Sequence, residues 1–166
     1  MLDLVAVDNK WGIGKNNDLL IRIPKDTKFF KEVTVGNIVF MGKNTLDSLP
    51  RGKPLKNRVN IVLTSKEIEM DNLIVVHSVE ELLKELKKYD TEKIYNIGGG
   101  KIFEQMLDYM DYSLVTKIEK DLDADTFYPN LDEMDNWEVV AESPEHEYKG
   151  IKYKFLKYKN NNVKKF

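Results

Sequence analysis

Residues 95–105 read YNIGGGKIFEQ. A short apolar run enters three consecutive glycines and leaves as a segment with helical spacing, which is the signature of a strand–turn–helix unit. A tight turn needs two glycines at most. A third leaves a stretch without Cβ atoms, so that a pyrophosphate can lie against bare backbone at a helix start. The stretch is not the dinucleotide fingerprint, because Gly98 and Gly100 would require a third glycine where Phe103 stands.

Outward from this unit, other β-branched runs bounded by turn formers read as strands: LVAV (4–7), NIVFM (37–41), RVNIVL (58–63), LIVV (73–76), KIYNI (93–97), YSLVTKI (112–118), WEVVAE (137–142) and IKYKFLKY (151–158). The last alternates at Ile151, Tyr153 and Phe155 and follows a turn at Lys149-Gly150, which predicts an antiparallel neighbour. Helical spacing marks KNTLDSL (43–49), SVEELLKELKK (78–88) and GKIFEQMLDYM (100–110). Ser78 and Glu81 form a capping box. Strands alternating with helices predict an α/β protein with a largely parallel sheet. No repeat or linker divides the 166 residues, so residues 1–160 read as one domain and 161–166 as a frayed polar tail.

The charge balance is near neutral, at −2, and lacks the basic face that nucleic-acid binding requires. The absence of cysteine excludes disulfides, thiolate nucleophiles and cysteine zinc sites, and fits a reducing compartment. His77 and His146 stand apart from any ligand constellation, so no metal site is expected. No apolar run approaches the ~20 residues of a membrane span, and MLDLVAVDNKWG does not resemble a signal peptide. A cytoplasmic location is expected.

RIPKDTKFF (22–30) places Pro24 at the first position of a helix. On a helical wheel Phe29, Phe30 and Val33 form an apolar arc, with Asp26 near its centre. Asp26 either favours the helix dipole near solvent or is an acid kept for chemistry, with its pKa raised by apolar surroundings. DNKWGIGKNNDLL (8–20) reads as a long polar loop after the first strand, where α/β sheets keep their ligands. VGNIVFMGKNT (35–45) fails as a P-loop: the glycine spacing is wrong and Asn44 stands where a hydroxyl should hold magnesium. Its Gly42-to-Thr45 passage still opens a helix that could hold a phosphate.

Taken together, LVAVD, GIG, IPKDTKFFK, VFMGKNTLDSLP, PLKNRVNIVLTS, IGGGKIFEQ, VTKI and DADTFYP, in this order, resemble dihydrofolate reductase over nearly the whole chain. The resemblance implies an eight-stranded mixed sheet, mostly parallel, with an antiparallel C-terminal strand and four flanking helices. It further implies NADPH-dependent reduction of dihydrofolate to tetrahydrofolate. Asp26 would bind the pterin N3–H and 2-amino group and favour protonation at N5, supported by Thr116. Val5, Ala6, Thr27, Phe30, Leu49, Leu55, Ile97 and Phe103 would surround the substrate, and Arg58 would pair with its glutamate α-carboxylate. Ala6, Ile13, Gly14, Ile97 and Phe103 would lie at the nicotinamide end. Gly42, Lys43, Asn44 and Thr45, with Gly99, Gly100, Lys101 and Ile102, would hold the pyrophosphate. Leu63, Thr64, Ser65 and Lys43 would meet the adenosine and its 2′-phosphate. The family also implies a cis Gly98–Gly99 peptide, closure of the 12–20 loop and antifolate inhibition. Nothing in the sequence demands a dimer, so a monomer with no obligatory protein partner is expected.

Two departures stand out. Leu20-Ile21 replaces the family's usual Pro-Trp, and isoleucine cannot donate the indole's hydrogen bond to water. Asn44 and Leu46 replace commoner residues at the phosphate site. A riboflavin-pathway reductase of the same fold would need neither Asp26 nor Arg58. A non-catalytic pterin- or nucleotide-binding module would bind both ligands without consuming NADPH.

Overall fold

The computed structural model describes all 166 residues. The chain opens with β1 (Leu2–Val7), followed by the short strands β2 (Gly12–Lys15) and β3 (Asp18–Leu19). Then come α1 (Pro24–Thr34), β4 (Ile38–Gly42), α2 (Lys43–Ser48), β5 (Val59–Leu63) and β6 (Leu73–Val76). The second half contains α3 (Val79–Leu86), β7 (Ile94–Asn96), α4 (Gly100–Met106), β8 (Tyr112–Ile118) and β9 (Thr126–Phe127). It ends with β10 (Trp137–Glu142), β11 (His146–Tyr148) and β12 (Ile151–Asn160).

Eight strands form the central sheet in the order β10-β12-β8-β1-β7-β4-β5-β6, and β11 adds to the free part of β12. From β8 to β6 every neighbouring pair is parallel, whereas β12 runs antiparallel to β8, β10 and β11. The eight apolar runs of the sequence are these eight strands. The predicted turn joins β11 to β12, with Lys149 and Gly150 both at positive φ (49° and 79°), as a tight hairpin requires.

One expectation needs correction. Residues 8–20 are not simply a loop: β2 pairs with both β3 and β9 in a separate three-stranded sheet. Its strands, GIGK, DL and TF, are only two to four residues long, too short to carry a readable hydrophobic alternation. Residues 161–166, expected to fray, lie against the end of the helical segment after α4. The Lys164 amide donates to the Asp108 carbonyl at 2.7 Å, and the Phe166 ring meets the Tyr109 ring edge-on at 6.0 Å.

The main core packs Val7, Phe40 and Ile61 from the sheet against Leu82 and Leu86 of α3 and Met106 of α4. On the other face Val39, Met41 and Val62 pack against Leu46 of α2. Each such fully buried side chain contributes roughly 1.5–3 kcal/mol of transfer free energy. The Ser78 cap accepts the Glu81 amide at 3.1 Å, and the Glu81 carboxylate reaches back to the His77 amide at 2.8 Å, one residue earlier than a standard box. In α1 only Thr34 is buried, whereas Asp26, Phe29, Phe30 and Val33 are half-buried. That pattern fits a helix whose apolar stripe borders an open cleft rather than the closed core.

Candidate active site

The connection leaving β1 runs toward β4, and the one leaving β7 runs the other way toward β8. Such a reversal opens a crevice beyond the carboxyl ends of the strands. The segments that follow β1, β4, β5 and β7 therefore converge there, and they contain most of the residues singled out from sequence.

Asp26 stands in the first turn of α1. Its Oδ1 accepts the Thr116 hydroxyl at 2.6 Å, and Thr116 is buried on β8 directly opposite Ala6 of β1. Burial raises the Asp26 pKa, and the Thr116 hydrogen bond only partly opposes this. Around them Ile23, Ile118 and Tyr153 form a small apolar cluster, with Ala6, Ile21 and Phe155 packed against it. Ile21 thus fills with hydrocarbon the position where an indole donor was expected. Thr27 is exposed on the same helix, and Val5 is buried in β1.

Leu49, Leu55 and Ile97 pack on the Val39–Met41–Leu46–Val62 cluster, half-buried. Arg58 immediately precedes β5, half-buried, and burial lowers its pKa. Its Nε donates to the Thr34 hydroxyl at 3.1 Å and its Nη1 to the Lys56 carbonyl at 2.7 Å. Two donors are thereby spent on holding the guanidinium plane in place, leaving Nη2 without an intramolecular partner.

The glycine turn follows Ile97 directly. The Gly98–Gly99 peptide is cis, as the resemblance implied, and Gly98 takes a φ of 92°. A Cβ on Gly98 would lie 2.5 Å from the Phe103 ring, and one on Gly100 would lie 2.8 Å from Thr126 Cγ2. Gly98 cannot take a side chain without displacing the ring, whereas one on Gly100 would push the Thr126 methyl aside. Helices α2 and α4 both start at a glycine without a side-chain cap, so the first amides of each, over 43–45 and 100–102, have no intrahelical acceptor. Gly42 joins the two starts, its amide donating to the Gly98 carbonyl at 2.7 Å. Bare amides from two helix starts suit an anionic diphosphate.

Lys43, a candidate for phosphate binding, is engaged by Asp47 one turn along, while Asn44 is exposed and Thr45 half-buried. Leu63 and Thr64 are half-buried at the end of β5, and Ser65 is exposed. His77, set aside on sequence alone, reaches the same place: its Nδ1 lies 2.7 Å from the Thr64 carbonyl oxygen. Lys101 is exposed, whereas Ile102 and Phe103 are buried.

The β2–β9 pairing brings Ile13 and Gly14 to the glycine turn, with Ile13 Cδ1 3.9 Å from where a Gly100 Cβ would stand. Asp8 was missed on sequence, yet it organises this region. Fully buried, its carboxylate accepts the Lys10 and Gly12 amides at 2.9 and 2.8 Å and the Leu122 amide at 3.1 Å. The Asp125 amide donates to the Gly14 carbonyl at 2.9 Å, and Asp125 accepts the Asn16 amide at 3.0 Å.

A mixed α/β sheet that brings a half-buried carboxyl and two uncapped helix starts to one crevice defines a scaffold for two ligands held side by side. The family model for dihydrofolate reductase matches residues 1–160. Dihydrofolate reductase of Bacillus subtilis is 34% identical over 165 residues, covering 98% of this chain and 95% of its own. That of Sus scrofa is 33% identical, covering 96% and 97%. A solved structure of dihydrofolate reductase from Enterococcus faecalis, complexed with NADP(H) and RAB-propyl, superposes with a TM-score of 0.85 at 33% identity, covering 96% of this chain and 95% of that one. The chain belongs to the dihydrofolate reductase family.

Proposed function

We propose that this chain reduces 7,8-dihydrofolate to 5,6,7,8-tetrahydrofolate with NADPH, Asp26 serving as the pterin-pocket acid. The observation that carries the reading is the Asp26 carboxyl, half-buried on α1, raised in pKa and oriented by the Thr116 hydroxyl at 2.6 Å. An acid so placed accepts hydrogen bonds from the pterin's N3–H and 2-amino group. It also holds its proton closer to neutral pH than an exposed aspartate does, and so favours proton delivery at N5, with water a suitable carrier.

The cofactor, when bound, supplies a hydride to C6. The amides over 43–45 and 100–102 would hold its pyrophosphate, and Thr64 and Ser65, with Lys43 released from Asp47, its 2′-phosphate. Ala6, Ile13, Gly14, Ile97 and Phe103 would exclude water at the nicotinamide end. Val5, Thr27, Phe30, Leu49 and Leu55 would enclose the pterin and aminobenzoyl rings. Arg58, already immobilised, would take the glutamate α-carboxylate with little further ordering cost. No helix is long and apolar enough to cross a membrane.

Two outcomes follow for the periphery of the site. Arg58→Leu is expected to raise KM for dihydrofolate about a hundredfold, the equivalent of about 3 kcal/mol for a lost charge-assisted pair. A pterin lacking the glutamate tail should be reduced equally well by both proteins. Replacing both Thr64 and Ser65 by alanine should weaken NADPH binding about tenfold and leave NADH binding unchanged, as read by titration of each cofactor. Equal losses for the two cofactors would remove these hydroxyls from 2′-phosphate recognition.

The assay for the reaction itself is NADPH oxidation on addition of dihydrofolate. Binding of both ligands without oxidation would leave a binding module instead.

A further inference from the structure

A row of polar side chains crosses the buried centre of the sheet. Asp3 of β1 is in register with Asn96 of β7 on one side and Ser113 of β8 on the other, and all three are fully buried. The Tyr128 hydroxyl, from the segment after β9, closes over this row. It donates to Asp3 Oδ2 at 2.7 Å and lies 2.8 Å from the Ser113 hydroxyl. The second Asp3 oxygen, Oδ1, has no hydrogen-bond partner in the protein.

Tyr128 is also a hub for the cleft. Its ring meets Phe103 edge-on at 5.2 Å and stacks on Trp11 at 6.1 Å, and its amide donates to the Trp11 carbonyl at 2.8 Å. Trp11 leads directly into β2 with Ile13 and Gly14, and Phe103 presses on Gly98. On the far side of Asp3, Asn96 Oδ1 accepts the Gly98 amide at 3.0 Å. The polar row therefore ends at both walls of the nicotinamide end of the crevice.

We propose that Tyr128, clamped by Asp3 and Ser113, is a positioning residue for the reductase reaction, fixing Phe103 and the Trp11–Gly14 segment relative to the glycine turn. The proposal rests on the reductase reading of the preceding section. Without the clamp, the position of the ring would rest on backbone pairing and on the Asp8 and Asp125 hydrogen bonds that hold β2 and β9, with no bond fixing its hydroxyl end. A shift of order 1 Å in the walls around a hydride donor is enough to cost about a hundredfold in rate.

The test compares wild type, Tyr128→Phe and the double variant Asp3→Ser/Tyr128→Phe. Tyr128→Phe keeps the ring but removes the clamp and strands the Asp3 carboxyl, so it is expected to lose thermal stability. The double variant removes the stranded acid and should recover most of that stability. Positioning predicts that both variants nevertheless show kcat about tenfold lower at saturating NADPH, with KM for dihydrofolate within about twofold. In ligand-free protein, hydrogen exchange at the Asp125 and Tyr128 amides should accelerate about tenfold in both variants, including the one that has regained stability. A kcat and exchange rates that recover together with stability would reduce Tyr128 to a packing residue. If wild type itself fails to oxidise NADPH, the reductase reading falls, and the exchange comparison still decides the clamp.

Discussion

Replacing Asp26 by asparagine is expected to remove at least about a hundredfold of the turnover at neutral pH, the lower end of what a positioned acid contributes. Affinity for NADPH should stay within about twofold, because the proposed cofactor site lies at the glycine turn and the α2 start rather than at α1. Asparagine keeps the size of the side chain and can still accept the Thr116 hydroxyl, so the loss reads the carboxyl alone. The pH dependence has a definite sign. Burial raises the Asp26 pKa, so the protonated acid persists toward neutrality and wild-type turnover falls as pH rises through that raised value. The asparagine variant has no such group, and its residual rate should be flat across the same range. Stability moves the other way. An aspartate with a raised folded pKa binds its proton more tightly in the folded state, so ionisation at neutral pH costs stability and Asp26→Asn should be the more stable protein there. Loss of activity with gain of stability separates a functional acid from a structural one.

The second large effect lies in the core. Burial pushes the Asp3 carboxyl from its ordinary 3.8 up to about 7, against the lowering influence of the Tyr128 hydroxyl, the Asn96 amide and the Met1 ammonium. Ser113 is the remaining polar neighbour in the row. Below pH 3.8 the carboxyl is protonated in both folded and unfolded chains and costs nothing. As pH rises from there to about 7 the unfolded chain releases its proton first, and stability falls; above about 7 the full cost remains. At about 1.4 kcal/mol per pH unit the interval is worth about 4 kcal/mol. Asp3→Asn keeps an acceptor for Tyr128 and removes the charge, so urea unfolding should find it up to about 4 kcal/mol more stable than wild type at pH 8. At pH 4 the two proteins should differ little. Parallel stability curves for the two proteins would contradict a buried acid that titrates in this range.

Much of this was legible in the chain because strong local signals agreed. The parallel strands are nearly continuous β-branched runs, and Ser78 with Glu81 marked the start of α3. YNIGGGKIFEQ announced both the strand–helix turn and its open amides. The wheel placed Asp26 among Phe29, Phe30 and Val33, and the half-burial of all four explains why an acid is tolerated there. What escaped depends on distant partners. β2, β3 and β9 are held by backbone pairing and by Asp8 and Asp125, whose acceptors point at amides in other segments. His77 reaches Thr64 only because β5 and β6 are neighbours. Asp3 offered a signal that went unread: it is the one charge inside LDLVAV, a strand otherwise fit for burial on both faces. Its pairing with a tyrosine 125 positions away could not be read from spacing.

Whether Asp26 is the acid of a dihydrofolate reduction is decided by a single spectrophotometric comparison. NADPH absorbance is followed on addition of 7,8-dihydrofolate, with wild type and Asp26→Asn side by side across neutral pH. Wild type should consume NADPH only when dihydrofolate is present, at a rate that declines with rising pH. The variant should be slower by about a hundredfold or more, without that decline. Equal rates and equal pH profiles for the two proteins, or binding of both ligands without consumption, would contradict that role for Asp26.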